Sequence, residues 1–478
     1  MDGCAMAAPS DKKSSIAKTT PENKEVKKMT KTDVLVIGSS AAGLVAAVTG
    51  KASYPDKAFT VVRKEEKTLV PCGIPYFTGS KETMDSNVMP SETMFQTAGI
   101  NLIIEEAVSL DREKKICTLK NNEEISFEKL IFATGSTPIR PRWLKGAELE
   151  NVFVIPKDKV YLDQMKEKLK GKKKIIVIGA GFIGVELSDE LCQDGMEVTL
   201  VEKLPHILGM AFDKDLAQVA AEKLSERGVA IKTGIGVKEV TGSDKATGVI
   251  LENGDELKAD AVFLSMGYRP NTDLAKESGM TLTPQGFIPV DEYMRTDNPD
   301  IFAAGDCAGK RDFFTGKPAM TMLASTACTE ARIAGLNLFD LSAVKKTSGT
   351  IAVFSTAIGG TGFGAAGLTE SRAVAEGFDV ITAAFEGMDK HPGTLPGTMK
   401  QFVKLIAAKK SGIILGGEII GGDSTGELTN VIGFIIQNRM DINALLTSQF
   451  GTHPLLTASP AGYPLFKAAE MLARKKWS

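Results

Sequence analysis

Cys72 stands in a turn made for chemistry, Val70-Pro71-Cys72-Gly73-Ile74-Pro75-Tyr76-Phe77. Prolines and a glycine hold the backbone open around a single thiol. The thiolate is the nucleophilic and redox-active form of cysteine. A helix starting just after the turn, with an acid–base partner nearby, can favour that form. The competing reading is a buried, inert cysteine, which behaves as a small apolar group. Cys117, Cys192, Cys307 and Cys328 lie in apolar patterns and read as structural, and Cys4 is incidental. None of the six cysteines forms a C-x-x-C pair, and the scatter fits a reducing compartment without a disulfide framework. Three histidines, His206, His391 and His453, argue against a histidine-rich metal site, and no metal is expected. His206 reads as a surface residue.

Two stretches on either side of the thiol can hold phosphate. The apolar run 33–37 leads into Gly38-Ser39-Ser40-Ala41-Ala42-Gly43 and then a small-residue helix. Gly38 permits the tight turn, Ser40 stands small where a second glycine is usual, and Gly43 lets helix and strand approach. A pyrophosphate can sit on the free N–H groups of such a helix start. The bland reading is a tight strand–helix turn. The run 174–178 leads into Gly179-Ala180-Gly181-Phe182-Ile183-Gly184, a complete G-x-G-x-x-G. The next strand, 197–201, ends in Glu202, about 20 residues on, where a ribose 2′-hydroxyl is read. That full context is specific for a dinucleotide. A 2′-phosphate meets a carboxylate there, so NADH is expected, with NADPH as the alternative. In the first unit the strand 58–62 ends in Arg63-Lys64-Glu65-Glu66. Glu65 either takes the ribose role one turn late or belongs to a solvated charged run.

Further along, the strand 130–132 closes in Ala133-Thr134-Gly135, small residues suited to backbone passing close to a ligand. A strand from about Asp260 ends at Gly267-Tyr268-Arg269-Pro270-Asn271. Asp306, after an apolar strand and Gly305, either accepts a hydroxyl from a ribityl chain or closes an Asx turn. From about Thr347 strand-like runs appear at 350–354, 380–385, 402–407 and 413–420, followed by helical stretches with no glycine fingerprint.

Composition sets the outer bounds. The chain has 478 residues, 43% hydrophobic, 24% charged, with a net charge of −2. That fits two to four soluble domains and gives no field for nucleic acid or an acidic membrane. No apolar run reaches the length of a membrane span. Residues 1–31 are rich in Lys, Ser and Thr and are expected to be disordered. They lack the apolar core of a secretory signal, and Asp11, Glu22 and Glu25 count against a transit peptide. A cytoplasmic protein is expected.

The order of these motifs resembles the two-dinucleotide-domain flavoprotein disulfide reductases, the pyridine nucleotide–disulfide oxidoreductases. The match runs from about Lys31 to the C-terminus. It is carried by Gly38 to Gly43, Ala133-Thr134-Gly135, Gly179 to Gly184 with Glu202, Gly267 to Asn271, and Ala304-Gly305-Asp306. The resemblance implies an α/β fold with two Rossmann-like domains and a C-terminal α+β dimerisation domain. FAD would be bound by 32–150 with 271–346, NAD by 151–270, and 347–478 would make a homodimer. The implied FAD contacts are Gly38, Ser40, Gly43, Glu65, Thr134, Gly135 and Asp306. Gly179, Gly181, Gly184, Glu186, Glu202 and Gly267 complete the cofactor set.

The cysteine stretch selects the branch. Phe77 stands five residues after Cys72, where two-cysteine reductases carry their second thiol. Cys72-Gly73-Ile74-Pro75-Tyr76 is similar to the single-cysteine branch: coenzyme A-disulfide reductases, persulfide or polysulfide reductases, NADH oxidases and NADH peroxidases. The first glycine loop has no histidine, which counts against peroxidase chemistry. Pro71 replaces the asparagine usual in the coenzyme A-disulfide branch. His453-Pro454 resembles the pair that serves the partner's thiol in two-cysteine members, but Ala458 stands where its glutamate belongs. His453 is therefore either catalytic or structural, with Tyr463 as a substitute acid. The implied activity runs from NADH through FAD to Cys72 and on to a small disulfide, persulfide or polysulfide. The alternatives are an NADH oxidase, or a flavoprotein that reduces a small redox protein.

Overall fold

The computed structural model describes Met1, residues 29–79 and residues 83–477. Most of the tail expected to be disordered therefore lies outside the described residues. Met29–Lys31 depart from that expectation: they form an edge strand beside Glu124–Ser126. Backbone hydrogen bonds stabilise this pairing, and it needs little apolar burial.

Two five-stranded parallel sheets carry the glycine loops. The first runs Ile301–Ala303, Lys129–Phe132, Val34–Ile37, Phe59–Arg63, Asn101–Ile104. The second runs Val152–Phe153, Ala261–Leu264, Lys174–Ile178, Glu197–Val201, Ala230–Lys232. Val34, Leu35 and Val36 have no exposed surface, as a strand covered on both faces requires. In each sheet the strand before the glycine loop is the central one. The strand order reverses there, which opens a crevice at the strand's C-terminal end. The expected strand 58–62 is shifted by one residue, because Arg63 still pairs with Ile104.

Two chain crossings, Ser136–Pro138 and Tyr268–Pro270, pair antiparallel and join the two sheets' units. The C-terminal part is an antiparallel sheet of five strands, Val353–Ile358, Thr361–Gly367, Ile414–Gly421, Lys400–Ala408, Val380–Met388. Helices Thr425–Gln437 and Pro464–Trp477 cover it. Its first strand begins at Val353, not near Thr350. Thr350 is committed elsewhere, exchanging backbone bonds with Arg311 and Phe313.

A buried polar junction fixes the second nucleotide unit against this C-terminal sheet. Asp213, before the helix Lys214–Glu226, accepts from the backbone N–H groups of Glu370 and Ser371. Lys404 Nζ lies 2.9 Å from Asp213 and 3.4 Å from Glu418. Asp213, Asp215 and Glu418 bring their oxygens close together, but this ammonium already stands among them. Glu418 has no exposed surface, and it accepts the Asp213 N–H at 2.7 Å. Burial, with the Asp213 carboxylate beside it, pushes the Glu418 carboxyl up to about 8. Its folded pKa is thus above its unfolded one, so the stability it contributes is full in acid and is lost as pH rises through about 8. Glu418→Gln mimics the protonated acid. It is expected to change the melting temperature little in mild acid and to flatten its fall from mild acid up to about pH 8. An equally steep fall in the variant assigns the pH dependence to other groups.

Candidate active site

The turn around Cys72 is built locally. Pro71–Gly73 form one 3₁₀ turn and Ile74–Gly79 a short helix. The Asn87 side chain donates to Val70 O at 3.1 Å, and a Cβ on Gly73 would meet Asn87 Oδ1 at 2.2 Å. Only glycine lets Asn87 tie the turn down. Cys72 is left exposed, facing a cavity of about 480 Å³. The residue is open to the cavity, but the protein around it desolvates the thiol and pushes it up, and the Glu186 carboxylate adds to the rise, while the Lys157 ammonium opposes it. The lowering expected from the following helix is not what prevails. That helix is six residues long, and the thiol is raised chiefly by burial, with Glu186 adding to the rise.

The same cavity is walled by both glycine loops. Ser40 and Ala41 come from the first, Gly181, Phe182 and Ile183 from the second, with Glu186, Gly267 and Asp306. A second cavity, about 710 Å³, continues along Gly38, Ser39, Glu65, Thr134 and Asn271. Ser40, Gly135, Ser136 and Lys157 line both.

The loops fit dinucleotides. A Cβ on Gly43 would lie 1.9 Å from Gly38 O, and one on Gly184 would lie 1.9 Å from Gly179 O. Helix and turn therefore touch backbone to backbone in both. Gly181 has open space where its Cβ would stand, so its missing side chain leaves room for a ligand. Ser40 precedes the helix Ala41–Ser53 and spends no side-chain oxygen on capping it. Both Glu202 oxygens accept backbone N–H groups, from Ala180 at 2.6 Å and Leu204 at 2.8 Å. The carboxylate is thus fixed at the mouth of the second loop.

Arg63 does not occupy the acid's place in the first unit. Its guanidinium turns inward to Thr68, Ser91, Glu66 O and Glu92, while Glu65 stays on the cavity wall. Thr134 and Gly135 are tied to Asn271 by three hydrogen bonds. Asp306 accepts from Ser136 Oγ at 2.7 Å and Lys157 Nζ at 2.8 Å. Burial works against its charge, but the Lys157 ammonium and Ser136 hold the carboxyl below the usual range. A buried pair supports this loop: Lys310 Nζ donates to Gly305 O, and Glu330 accepts the Gly305 N–H at 2.9 Å.

Neither His453 nor Tyr463 lines the Cys72 cavity within one chain. His453 is exposed, and Leu455 N–H donates to its Nδ1 at 3.3 Å, which puts any single ring proton on Nε2. Tyr463 packs against Phe450 and Phe466. His206 is half-buried. Sequence reasoning gave no role to Ser136, Lys157 and Thr356. No motif marks them, because they reach the site only through the packing of separate units.

The pyridine nucleotide-disulphide oxidoreductase model matches residues 32–331, and that family's dimerisation domain matches 353–461. An NADH oxidase of Enterococcus faecalis is 31% identical, over 88% of this chain and 95% of its own length. An NAD(P)H coenzyme A polysulfide/persulfide reductase of Pyrococcus horikoshii is 28% identical, over 92% of this chain and 98% of its own. Among solved structures, an NAD-dependent persulfide reductase from A. fulgidus is similar with a TM-score of 0.86 and 29% identity, covering 93% of this chain and 83% of that one. The dimerisation-domain match accompanies a homodimer. Among the described residues no helix is long and apolar enough to cross a membrane. Two glycine loops facing one thiol, and a family match across both units, agree: the chain belongs to the pyridine nucleotide-disulphide oxidoreductases, FAD-dependent enzymes that draw electrons from NAD(P)H.

Proposed function

We propose that this protein is an NADH-dependent reductase of small disulfides, persulfides or polysulfides, acting in the cytoplasm as a homodimer, with Cys72 as its reacting sulfur. One observation carries the reading: Cys72 opens into a cavity that both nucleotide loops also wall. FAD, when bound, supplies the two-electron relay between NADH and sulfur. The first loop with Thr134, Gly135 and Asp306 holds it, and Lys157 and Ser136 keep Asp306 charged and ready to accept a hydroxyl.

The Cys72 thiolate attacks a disulfide R–S–S–R, forming Cys72–S–S–R and releasing R–S⁻. Two electrons then cleave that mixed disulfide, regenerate the thiolate and release the second R–S⁻. Two protons complete two thiols, so NADH, one proton and one disulfide give NAD⁺ and two thiols. With a persulfide, attack on the outer sulfur leaves Cys72–S–SH and the second step releases HS⁻. The free state of Cys72, Cys117, Cys192, Cys307 and Cys328 fits a reducing compartment. His453 is kept as a partner-side group, with its Nε2–H as donor to a leaving thiolate.

Glu202 reads the ribose. A hydrogen bond to a charged group contributes about 1.5–3 kcal/mol, so Glu202→Ala is expected to weaken NADH about tenfold or more and to raise the NADPH-to-NADH preference. Wild-type preference for NADPH by about tenfold, or about 1.4 kcal/mol, contradicts that role.

NADH oxidase is the second reading, favoured by the Enterococcus faecalis relative. Measuring NADH oxidation side by side with coenzyme A disulfide, coenzyme A persulfide, polysulfide, oxygen and a small redox protein separates them. Fastest turnover with a sulfur acceptor is expected. Fastest turnover with oxygen or the redox protein replaces the proposal.

A further inference from the structure

We propose that Arg63, acting through the hydroxyl of Thr68, is a positioning residue that fixes the Cys72 turn against the first glycine loop. The inference deepens the function proposed above and rests on Cys72 as its reacting sulfur. The strand Phe59–Arg63 ends in a guanidinium where an acid that reads a ribose is usual. Its side chain is only 1% exposed. A charge so buried persists only with its donors paired, and all four terminal N–H groups are paired here. Nη1 donates to Thr68 Oγ1 at 3.1 Å and to Ser91 Oγ at 3.0 Å. Nη2 donates to Glu66 O at 2.6 Å and to Glu92 Oε1 at 2.7 Å. The planar fork thus clamps the strand end, the loop 66–68 and the helix Ser91–Thr97 together.

Thr68 carries this clamp to the chemistry on both sides. A hydroxyl can donate once and accept twice. Thr68 Oγ1 accepts from Arg63 and shares a buried hydrogen bond of 2.9 Å with Ser39 Oγ, inside the loop Gly38 to Gly43. Beside it, Gly38 N–H donates to Val62 O at 2.8 Å, so loop and strand end are joined twice. Cys72 stands four residues after Thr68. Between them Leu69 is buried, and Val70 is tied to Asn87 through its N–H at 2.9 Å and its carbonyl at 3.1 Å. The Cys72 turn and the six-residue helix after it belong to no sheet. The place of the sulfur therefore depends on these side-chain ties. The second loop's side of the cavity is held separately, by Thr356 Oγ1 donating to Glu186 Oε1 at 2.7 Å. Loss of the Thr68 hydroxyl thus loosens the sulfur from the first loop and leaves the NADH side untouched.

Thr68→Val keeps the shape of the side chain and cuts both bonds, whereas Thr68→Ser keeps the hydroxyl. The FAD-loaded enzyme is reduced with dithiothreitol, and the long-wavelength charge-transfer absorbance from the Cys72 thiolate to the flavin is recorded against pH. The midpoint reports the thiol, and the plateau reports how closely sulfur and flavin approach. Thr68→Val is expected to lose most of the plateau and Thr68→Ser to keep it. In stopped-flow, Thr68→Val is expected to leave flavin reduction by NADH unchanged. Its reoxidation by coenzyme A disulfide is expected to be about tenfold slower, since a misplacement of about 1 Å can cost still more. Arg63→Lys keeps the charge without the fork and is expected to act in the same direction; if it does not fold, Thr68→Val decides alone. A wild-type plateau in Thr68→Val, an equal loss in Thr68→Ser, or an equal fall in both half-reactions overturns the proposal. That failure still leaves Cys72→Ser inactive toward sulfur acceptors, whereas a failure of the proposed function shows as disulfide turnover retained without Cys72.

Discussion

Cys72→Ser is expected to lose turnover with sulfur acceptors by several orders of magnitude while keeping FAD and its reduction by NADH. Serine preserves the size of the side chain in a turn that Gly73 and Asn87 hold in place. What it removes is the nucleophile, since a hydroxyl is essentially never ionised near neutral pH and the covalent route depends on the sulfur anion. The two glycine loops and the Asp306 cluster lie in other segments, so cofactor binding has no reason to change. Electron delivery to a one-electron dye is also expected to survive, because it needs no covalent intermediate on the chain. The measurement is therefore a ratio: disulfide or persulfide turnover against dye turnover in the same preparation. If that ratio equals the wild-type ratio, sulfur is reduced elsewhere. Delivery to a small redox protein then becomes the better account.

The sequence was most legible where the physics is local. The strands Lys174–Ile178 and Glu197–Val201 coincide with apolar runs bounded by a glycine and an acid, and both lie in the middle of a buried sheet. The glycine loops were legible for the same reason, since Gly38 with Gly43 and Gly179 with Gly184 solve one steric problem within six residues. The state of the thiol was not legible. Cys72 sits before a helix start, which in isolation favours the thiolate, but burial raises the thiol and Glu186, from another unit, adds to the rise. Lys157, Ser136 and Thr356 were hidden likewise: each is an ordinary residue in its own segment and gains meaning only where separate segments meet. His453 could be singled out by its His-Pro pair, but a single chain leaves it exposed and away from the thiol.

The two nucleotide loops also yield the sharpest contrast between fold and ligand, through alanine at Gly43 and at Gly181. Gly43 lies in the first turn of its helix, where alanine by itself is favoured over glycine, by about 1 kcal/mol in a helix interior, whereas Gly181 is the N-cap of its helix, where glycine is the better residue. At Gly43 that gain is overwhelmed. The new Cβ would stand 1.9 Å from Gly38 O and 3.4 Å from the Ala133 side chain, so backbone has to move. Overpacking of this kind costs about 3 kcal/mol, and here it falls on the helix whose N-terminus faces the larger cavity. Gly43→Ala is therefore expected to purify with little or no FAD and to melt several degrees lower. At Gly181 nothing lies within 4 Å of the added Cβ. The fold is expected to be unaffected, within about 0.5 kcal/mol of wild type as for other open positions, and FAD content to be normal. The methyl group instead projects into the mouth of the second loop, where Glu202 is held by Ala180 and Leu204. NADH is expected to bind about tenfold more weakly, a loss of about 1.4 kcal/mol. FAD content and melting temperature of each variant, with NADH affinity for the second, decide the matter. Normal FAD in Gly43→Ala, or unweakened NADH in Gly181→Ala, shows that the corresponding loop does not hold its dinucleotide as described.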